Sequence, residues 1–300
     1  MNKQKQDNKI KIFLLVITAA VLGGGAGVFS KIALREIPPF SFTFLRFLIA
    51  SIFLLPFSLK YLTRFRKSDY QIILLSLLAS INVILFSFGI KYTSADMSQM
   101  IYVAVPIISA VFSFYLLKER FSFKKILGIL LGFVGAILII ILPLLAHNQS
   151  SGTIYGNLII SLAAISISLY WVLSKKFQSQ YSPLEINNYF IFTTTVLLLF
   201  LSFFDLAKTP SWWQGVSLVA YLSLAFVAIL STAVYYFISQ ILIKKATPVV
   251  ASMVLNIQPF VTFIFAYYLL SETLSLLFIV GIVITLAGVW LVNTYQKPLN

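Results

Sequence analysis

The sequence predicts an all-α integral membrane protein with ten transmembrane helices in two inverted five-helix repeats. Three observations lead to this fold class. The chain of 300 residues is 60% hydrophobic and only 10% charged, with a mean hydropathy of +0.98, and one soluble core could not cover so much apolar surface. Its apolar runs have about 20 residues, the length that crosses the hydrocarbon core of a bilayer. A segment of the first half also returns in the second half.

The apolar runs, taken in order, predict ten spans. They lie near residues 12–31, 39–60, 70–91, 95–117, 123–145, 154–175, 183–204, 214–240, 247–270 and 275–295. Four lysines precede the first run, as in a signal peptide, but the spans that follow favour an uncleaved first helix. The connections are short and rich in turn formers, so no soluble domain is expected between spans. We therefore expect residues 1–145 and 154–296 to form two five-helix repeats of one membrane domain.

The internal repeat joins residues 93–139 to residues 246–292. Each copy has an apolar helix with an interior proline, a short polar turn and a second apolar helix with glycines seven positions apart. The pairs, all at one offset of 153, are Pro106 and Pro259, Tyr115 and Tyr268, Glu119 and Glu272, Ser122 and Ser275, Gly128 and Gly281, and Gly135 and Gly288. A weaker match at an offset of 144 extends the repeat to the first two spans of each half. Because five is an odd number of crossings, the second copy enters the membrane from the opposite side, and the repeat is inverted.

Lysine and arginine are distributed unevenly over the connections. Most of them lie at the N-terminus and on the even-numbered connections, whereas the odd-numbered connections hold only Lys31, Arg35, Lys91 and Lys208. The positive-inside rule therefore predicts that both termini are cytoplasmic. We expect a multi-pass protein of the cell membrane, meaning the plasma or inner membrane.

Composition and spacing also exclude several functions. The net charge of +14 comes from short basic clusters between apolar runs, so nucleic acid is not an expected partner. The chain has no cysteine and no cluster with metal-ligand spacing, so neither a metal nor a cofactor is predicted. The single histidine, His147, falls in a predicted exterior loop, and no carboxylate pair fits an acid/base couple. We therefore predict no catalytic residue and no enzyme activity.

Polar side chains on one face of span 4 are the first candidates for a substrate cavity. Polar groups are costly against lipid and tend to face inward. On an ideal helix, one stripe about 100° wide holds Ser98, Gln99, Tyr102, Pro106, Ser109 and Ser113. Close helix packing is the alternative explanation of the serines, but the glutamine and tyrosine favour a cavity wall.

Further cavity candidates lie on other spans. Span 8 carries Ser231, Tyr235 and Ser239 on one face, and Tyr235 is the repeat partner of Asn82 in span 3. On span 9, Asn256 and Gln258 point about 160° apart, and we select Asn256 as the cavity residue. Aromatic and amide surface from the second half is expected from Tyr170, Trp171 and Asn187.

Prolines and acidic turns repeat in both halves. Pro106 and Pro259 each remove a backbone hydrogen bond inside an apolar helix, so they either fix packing kinks or provide bends for movement of the halves. Glu119 stands three residues before Ser122, a natural N-cap, and Glu272 has the same relation to Ser275. This spacing favours a structural turn over a catalytic role.

Glycines recur on spans 5 and 10. They are Gly128, Gly132, Gly135, Gly281 and Gly288. Small faces of this kind permit close helix packing in a membrane, either within the chain or between two chains. The expected oligomeric state is a monomer or a homodimer.

Arg46 is the only full charge well inside a predicted span. It lies seven residues after Pro39, roughly 10 Å along the helix from the outer end, where an unpaired charge would cost about 2.5 kcal/mol or more. In one interpretation Arg46 snorkels outward, or pairs with Asp96 or exposed carbonyls. In the other it faces the cavity and attracts an anionic group such as an amino-acid carboxylate. Its repeat partner is Phe190.

The run from Pro39 to Phe47, together with the twin proline, glutamate and glycine patterns, resembles the EamA family of the drug/metabolite transporter superfamily. The resemblance covers essentially the whole chain. It implies ten helices in two inverted halves, a central cavity lined by helices 1–4 and 6–9, and export of amino acids, other metabolites or drugs. Members often carry a Trp-Gly pair in helix 1, where this chain has the glycine-rich run from Leu22 to Gly27.

These patterns predict a secondary transporter, specifically an exporter, that moves small metabolites such as amino acids, or drug-like amphipathic solutes, by alternating access. The expected partners are a small-molecule substrate and the lipid bilayer. A flippase for lipid-linked substrates is the close alternative, and a non-transporting sensor or structural protein is the more distant one. No Asp or Glu lies deep inside a predicted span, which favours facilitated or exchange transport with at most indirect proton coupling.

Overall fold

The computed structural model describes residues 3–62, 69–93, 95–147, 153–270 and 276–294, and within these ranges the regular structure is helical. The α-helices are α1 (Lys3–Ala33), α2 (Pro39–Leu62), α3 (Asp69–Gly89), α4 (Ala95–Val103), α5 (Val105–Leu117), α6 (Phe123–His147), α7 (Ile154–Phe177), α8 (Pro183–Lys208), α9 (Leu218–Ala228), α10 (Tyr235–Lys245), α11 (Pro248–Ser252), α12 (Val254–Leu270) and α13 (Leu276–Thr294). A π-helical segment, Ile229–Val234, joins α9 to α10.

Several of these helices have the length and composition of membrane spans. Within the described residues, six helical stretches meet both criteria: Asn8–Ala33, Pro39–Leu59, Asp69–Gly89, Ile154–Phe177, Pro183–Lys208 and Leu218–Lys245. Shorter apolar helices are Ile101–Leu117, Pro248–Thr262 and Ile279–Thr294. The chain is therefore a multi-pass membrane protein. The count of ten spans and the inverted relation of the halves stay predictions.

The helix boundaries correct three of the predicted spans. Span 4 is interrupted at Ala104 between α4 and α5, and span 9 at Met253 between α11 and α12. Pro106 lies in the first turn of α5, where the missing backbone N–H costs little, whereas Pro259 lies inside α12. Span 8 starts later than predicted, because Ser217 caps α9 by accepting a hydrogen bond from the N–H of Ala220.

The turn between α5 and α6 has the predicted structural role. The Ser122 hydroxyl accepts a hydrogen bond from the N–H of Lys125 at 3.3 Å, as an N-cap does. Glu119 is buried and forms an ion pair with Lys125, whose ammonium also lies 4.6 Å from the ring centroid of Phe121. Glu272 and Ser275, the corresponding residues of the second half, lie outside the described residues.

The glycines of α6 and α13 form a close helix seam, which confirms their predicted packing role. A Cβ atom built on Gly128 would lie 2.8 Å from the carbonyl oxygen of Gly288, and one built on Gly135 would lie 2.7 Å from that of Gly281. Residue numbers therefore rise along α6 while those of the contacted residues fall along α13, so the two helices are antiparallel. Because these contacts are made within one chain, the glycines pack α6 against α13 without the need for a second protein molecule.

α2 and α8 pack against each other. The hydroxyls of Ser51 and Thr195 are 2.8 Å apart, and the rings of Phe47 and Phe190 pack edge to face with centroids 5.7 Å apart. Phe47 and Phe190 are fully buried. These contacts hold the two helices side by side and bring Arg46, next to Phe47, into the interior.

Candidate functional site

The π-helical segment between α9 and α10 is the structural centre of the candidate site. The Thr232 hydroxyl donates to the carbonyl of Val227, five residues earlier, at 2.9 Å. This spacing matches the wider turn of a π-helix, which adds one residue to an α-helical turn and is found mostly as a single turn, often at functional sites. The extra residue changes the helical phase of the side chains that follow.

Three successive residues of the π segment bind three different helices. The Ser231 hydroxyl donates to the carbonyl of Leu22 in α1 at 2.5 Å. Arg46 Nε in α2 donates to the Thr232 hydroxyl at 2.5 Å. Asn187 Nδ2 in α8 donates to the Ala233 carbonyl at 3.3 Å. The segment is thus held by helices from both halves of the chain.

The Arg46 guanidinium lies within the bundle. Its partner Thr232 is near the middle of the helical stretch Leu218–Lys245, so the side chain does not reach the outer surface. Its Cζ atom lies 5.6 Å from the ring centroid of Phe47. Among the described side chains, no carboxylate forms an ion pair with Arg46; Asp96 is described in its backbone only. The residue is nevertheless only partly buried.

Tyrosine and phenylalanine rings surround this charge. Tyr236 lies near Arg46, Tyr102 and Tyr170, and its ring centroid is 5.0 Å from that of Tyr235. Phe190, the repeat partner of Arg46, packs against Tyr236 at 4.8 Å and against Tyr170 at 5.6 Å. One cationic group therefore stands beside an aromatic cluster.

Two amide networks continue from the aromatic cluster. Asn82 Nδ2 donates to the Tyr102 hydroxyl at 2.5 Å and to the Ala163 carbonyl of α7 at 2.8 Å. On the other side, Gln240 Nε2 donates to the Tyr170 hydroxyl at 3.1 Å and its Oε1 accepts from Gln178 at 2.8 Å. The tyrosine hydroxyls are thus oriented by side chains of α3 and α10.

The remaining candidates lie at other places. Gln99 is near the α1 backbone, with its Nε2 4.0 Å from a Cβ built on Gly27. Ser98 is buried on α4, and Trp171 is buried on α7 with no described partner for its indole N–H. Asn256 packs against α6, its Nδ2 2.8 Å from a Cβ built on Gly132. A cavity role stays a prediction for these four residues, as it does for the other candidates.

Gln258, rather than Asn256, lies beside Tyr235. The side chains of Gln258 and Tyr235 both lie against Gly23, where an added Cβ would overlap Gln258 and approach the Tyr235 ring at 3.0 Å. The Thr262 hydroxyl also donates to the Gly24 carbonyl at 2.8 Å. The glycine-rich run of α1 therefore lets α12 approach the α1 backbone closely.

Sequence reasoning missed three residues at this centre: Thr232, Tyr236 and Gln258. Tyr236 falls about 100° from Tyr235 on a regular helix, and no sequence pattern marked the π segment that precedes both. The glycine run of α1 was a usable signal for Gln258, because glycines leave room for a side chain of a facing helix to lie against the backbone.

Carboxylates cap helix starts on the side predicted to be exterior. Asp205 Oδ2 in the last turn of α8 accepts the N–H of Ser41 in the first turn of α2 at 2.8 Å. Glu36, in the connection between α1 and α2, accepts from the N–H and hydroxyl of Ser217 at 2.6 and 2.7 Å. These bonds, the backbone one above all, lower the pKa of Glu36 from its ordinary 4.5. Both carboxylates stabilise partial positive charge at helix N-termini.

The described part of the chain holds no group of three or more His, Cys, Asp or Glu residues that could bind a metal. The chemistry that the site offers is therefore that of a guanidinium, tyrosine hydroxyls, amides and aromatic rings. These groups can bind a solute with an anionic group and an apolar body.

Comparisons with known proteins agree with a membrane transporter. The EamA-like transporter family matches residues 10–141 and 154–294. A protein of Archaeoglobus fulgidus named as an uncharacterized transporter is 27% identical over 290 residues, which cover 95% of this chain and 98% of the relative. The uncharacterized transporter YoaV of Bacillus subtilis is 25% identical over 292 residues, covering 95% and 97%. A protein crystal structure with 16% identity has the same fold, with a TM-score of 0.77 and coverage of 94% and 96%.

Proposed function

The chain belongs to the EamA-like transporter family, and we propose that it is a secondary transporter that exports small metabolites such as amino acids, or drug-like amphipathic solutes, by alternating access. The observation that carries this proposal is the environment of Arg46. Its guanidinium lies inside the bundle and has no described carboxylate partner, and the residue as a whole is only partly buried. A buried cation without a protein counter-ion is costly in a membrane, and an anionic substrate group would offset that cost.

The residues around Arg46 define the chemistry of the proposed substrate. A guanidinium pairs with a planar carboxylate through its rigid fork of N–H groups. The neighbouring rings of Tyr102 and Tyr236, which are only partly buried, offer apolar and cation-binding faces to the rest of the solute. A carboxylate attached to an aromatic or other apolar body would use both.

Internal contacts support the proposal that ten spans form two inverted halves, with both termini in the cytoplasm. Gly128 contacts Gly288 while its repeat partner Gly281 contacts Gly135, the partner of Gly288. Ser51 contacts Thr195, its own repeat partner at an offset of 144. Reciprocal contacts of this kind are what a pseudo-twofold axis in the membrane plane produces. A reporter fused to the C-terminus that is active only outside the cell would contradict this topology.

The acidic residues support facilitated or exchange transport without a buried carboxylate as proton carrier. In the described chain, Asp69 begins α3, Glu185 lies in the first turn of α8 and Asp205 in its last turn. Glu119 lies between α5 and α6. Proton carriers of membrane pumps are usually ionisable groups deep inside a span.

The experiment that tests the function compares two probe solutes that share the same apolar part and differ only in charge. Purified protein in liposomes is assayed for exchange of radiolabelled N-acetylphenylalanine, an anion, and of its neutral primary amide. Arg46→Gln should lower the rate for the anion more than tenfold and change that of the amide by less than about twofold. Arg46→Lys should retain part of the anion transport because it keeps the charge. Arg35→Gln, a change at an exposed arginine in the α1–α2 connection, is the matched control.

Two results would contradict the proposal. In one, Arg46→Gln affects both probes equally, or neither, in variants that fold as judged by size-exclusion chromatography. In the other, wild-type protein scrambles fluorescent phospholipids and shows no saturable exchange of any carboxylate in a panel of amino acids and N-acyl amino acids. The second result would favour the flippase.

A further inference from the structure

Thr232 holds Arg46 by a hydrogen bond whose direction the structure determines. A threonine hydroxyl has one hydrogen to donate and two lone pairs to accept. Its hydrogen is used on the Val227 carbonyl at 2.9 Å, so toward Arg46 Nε at 2.5 Å it acts as the acceptor. Both functions of the hydroxyl are therefore used.

This bond occupies one edge of the guanidinium. Arginine has five N–H donors, one on Nε and four on the two terminal nitrogens. Among the described residues, none accepts a hydrogen bond from the terminal nitrogens, whereas Nε is used by Thr232. With the Nε bond in place, the guanidinium has little freedom to turn, and its free end is the edge formed by the two terminal nitrogens. That edge matches the two oxygens of a carboxylate.

Thr232 itself is rigidly placed. It is fully buried, and its neighbours in the π segment bind other helices, Ser231 to the α1 carbonyl of Leu22 and Ala233 to Asn187 of α8. A side chain that must hold a binding group in one orientation works best when its own surroundings fix it.

We infer that Thr232 is a positioning residue for substrate selection. Its hydroxyl holds the Arg46 guanidinium so that the terminal nitrogens face the anionic group of the substrate, and it thereby sets the preference for carboxylates over neutral solutes. This inference rests on the proposed function, in which Arg46 binds that anionic group.

The test uses Thr232→Val, which keeps the shape of the side chain and removes the hydroxyl. For N-acetylphenylalanine in proteoliposomes, we expect KM to rise about tenfold, equivalent to 1.4 kcal/mol, with kcat changed less than twofold. KM for the neutral amide should stay within about twofold. Thr232→Ser, which restores the hydroxyl, should recover most of the anion affinity. Thr195→Val removes another threonine hydroxyl, the one bound to Ser51, and should leave the ratio of the two KM values unchanged.

A double-mutant cycle separates positioning from a general structural effect. Lysine has no Nε–H group, so in an Arg46→Lys background Thr232→Val should no longer alter the KM ratio. If Thr232→Val changes KM for both probes equally, or its effect persists in the Arg46→Lys background, the positioning role is wrong. If Thr232→Val has no effect while Arg46→Gln removes the anion preference, the inference fails and the proposed function stands. If Arg46→Gln leaves that preference intact, both fail.

Discussion

The helix α3 and the stretch from α9 to α10 correspond in the predicted repeat, in which Asn82 pairs with Tyr235, yet they have different geometry. In α3, the hydroxyls of Ser76 and Ser80 each donate to the carbonyl four residues earlier, the spacing of a regular α-helix. At the matching place in the second half, the Thr232 hydroxyl donates to the carbonyl five residues earlier. One half thus keeps a regular helix where the other has a π segment.

The same asymmetry holds for the helices that face these two. Arg46 of α2 lies against the π segment, whereas its repeat partner Phe190 of α8 is fully buried among aromatic rings. Where α8 meets α3, the contact is a neutral hydroxyl pair, Ser80 with Thr194 at 2.8 Å. The comparison teaches that a shared scaffold can carry a charged centre in one half and an apolar one in the other.

The largest loss of stability is expected when an arginine is placed at Phe190, the position in the second half that corresponds to Arg46. Phe190→Arg would bury a guanidinium among Phe47, Tyr170 and Tyr236, at a cost of about 3–5 kcal/mol for an uncompensated buried charge. We expect loss of the folded protein, measured as yield and as thermal unfolding in detergent. Phe190→Leu, which stays apolar, should fold. A stable Phe190→Arg variant would mean that the two halves tolerate charge equally.

Deleting Leu230 tests whether the π segment is needed. Removing one residue from a π turn converts it to an α turn and can leave the flanking helices in register. We expect a folded protein whose exchange of N-acetylphenylalanine falls at least tenfold, because Thr232 and Tyr236 change their direction relative to α9. Leu230→Ala, which keeps the chain length, is the control and should retain most activity. If the deletion variant exchanges N-acetylphenylalanine at the wild-type rate, the π turn is not required for transport.

Equal losses of stability are expected from substitutions at the glycines of the α6–α13 seam, where the two halves have the same packing. Gly135→Ala and Gly288→Ala, at repeat partners, would each bring a methyl group against the backbone of the facing helix. Each should cost about 1–3 kcal/mol of stability, as overpacking does. Leu130→Ala on the outer face of α6 is the control. Unfolding of the variants in detergent measures the loss of stability. A difference above about 1 kcal/mol between the two variants would contradict the equivalence of the two glycine positions.

The smallest effect concerns the first turns of α3 and α9. α3 begins with its own buried Asp69, whose carboxylate accepts from the Tyr181 hydroxyl at 2.7 Å, whereas α9 relies on the exposed Glu36. Because the pKa of Glu36 is lowered in the folded protein, its stabilising effect is present above pH 4.5 and is lost as the pH falls through the lower folded value.

The measurement compares the unfolding temperatures of wild type and Glu36→Gln from pH 7 down to below pH 4.5. We expect wild type to be slightly more stable at pH 7 and the difference to shrink in the acid range. In a Ser217→Ala background the backbone bond persists, so the difference should decrease without vanishing. A difference that grows on acidification would contradict this sign.

Patterns that depend on local chemistry were predictable from the sequence. Composition and run length predicted a helical membrane protein. Ser122 acts as the predicted N-cap because its hydroxyl binds a backbone N–H three residues later, so the interaction depends on local sequence alone. The glycines of α6 and α13 signalled a close seam because a face without side chains lets a second helix backbone approach closely. Arg46 stood out because charge inside a span is rare.

Features that depend on a tertiary partner were not predictable in this way. The position of Gln258 beside Tyr235 depends on which face of α12 meets α1, and the glycine run of α1 allows that close approach. Tyr236 was passed over because an ideal helix of 3.6 residues per turn was assumed through the π segment. The breaks at Ala104 and Met253 differ in position between the halves although Pro106 and Pro259 correspond.

The glycine seam restricts how the protein can move. Where a glycine of α6 faces a carbonyl of α13, only a hydrogen atom fits, and the neighbouring positions carry larger side chains such as Ile129. Sliding one helix along the other by one turn, 5.4 Å, would drive those side chains into the opposing backbone. The packing therefore opposes a one-turn shift of α6 along α13, and the two helices are expected to move as one unit.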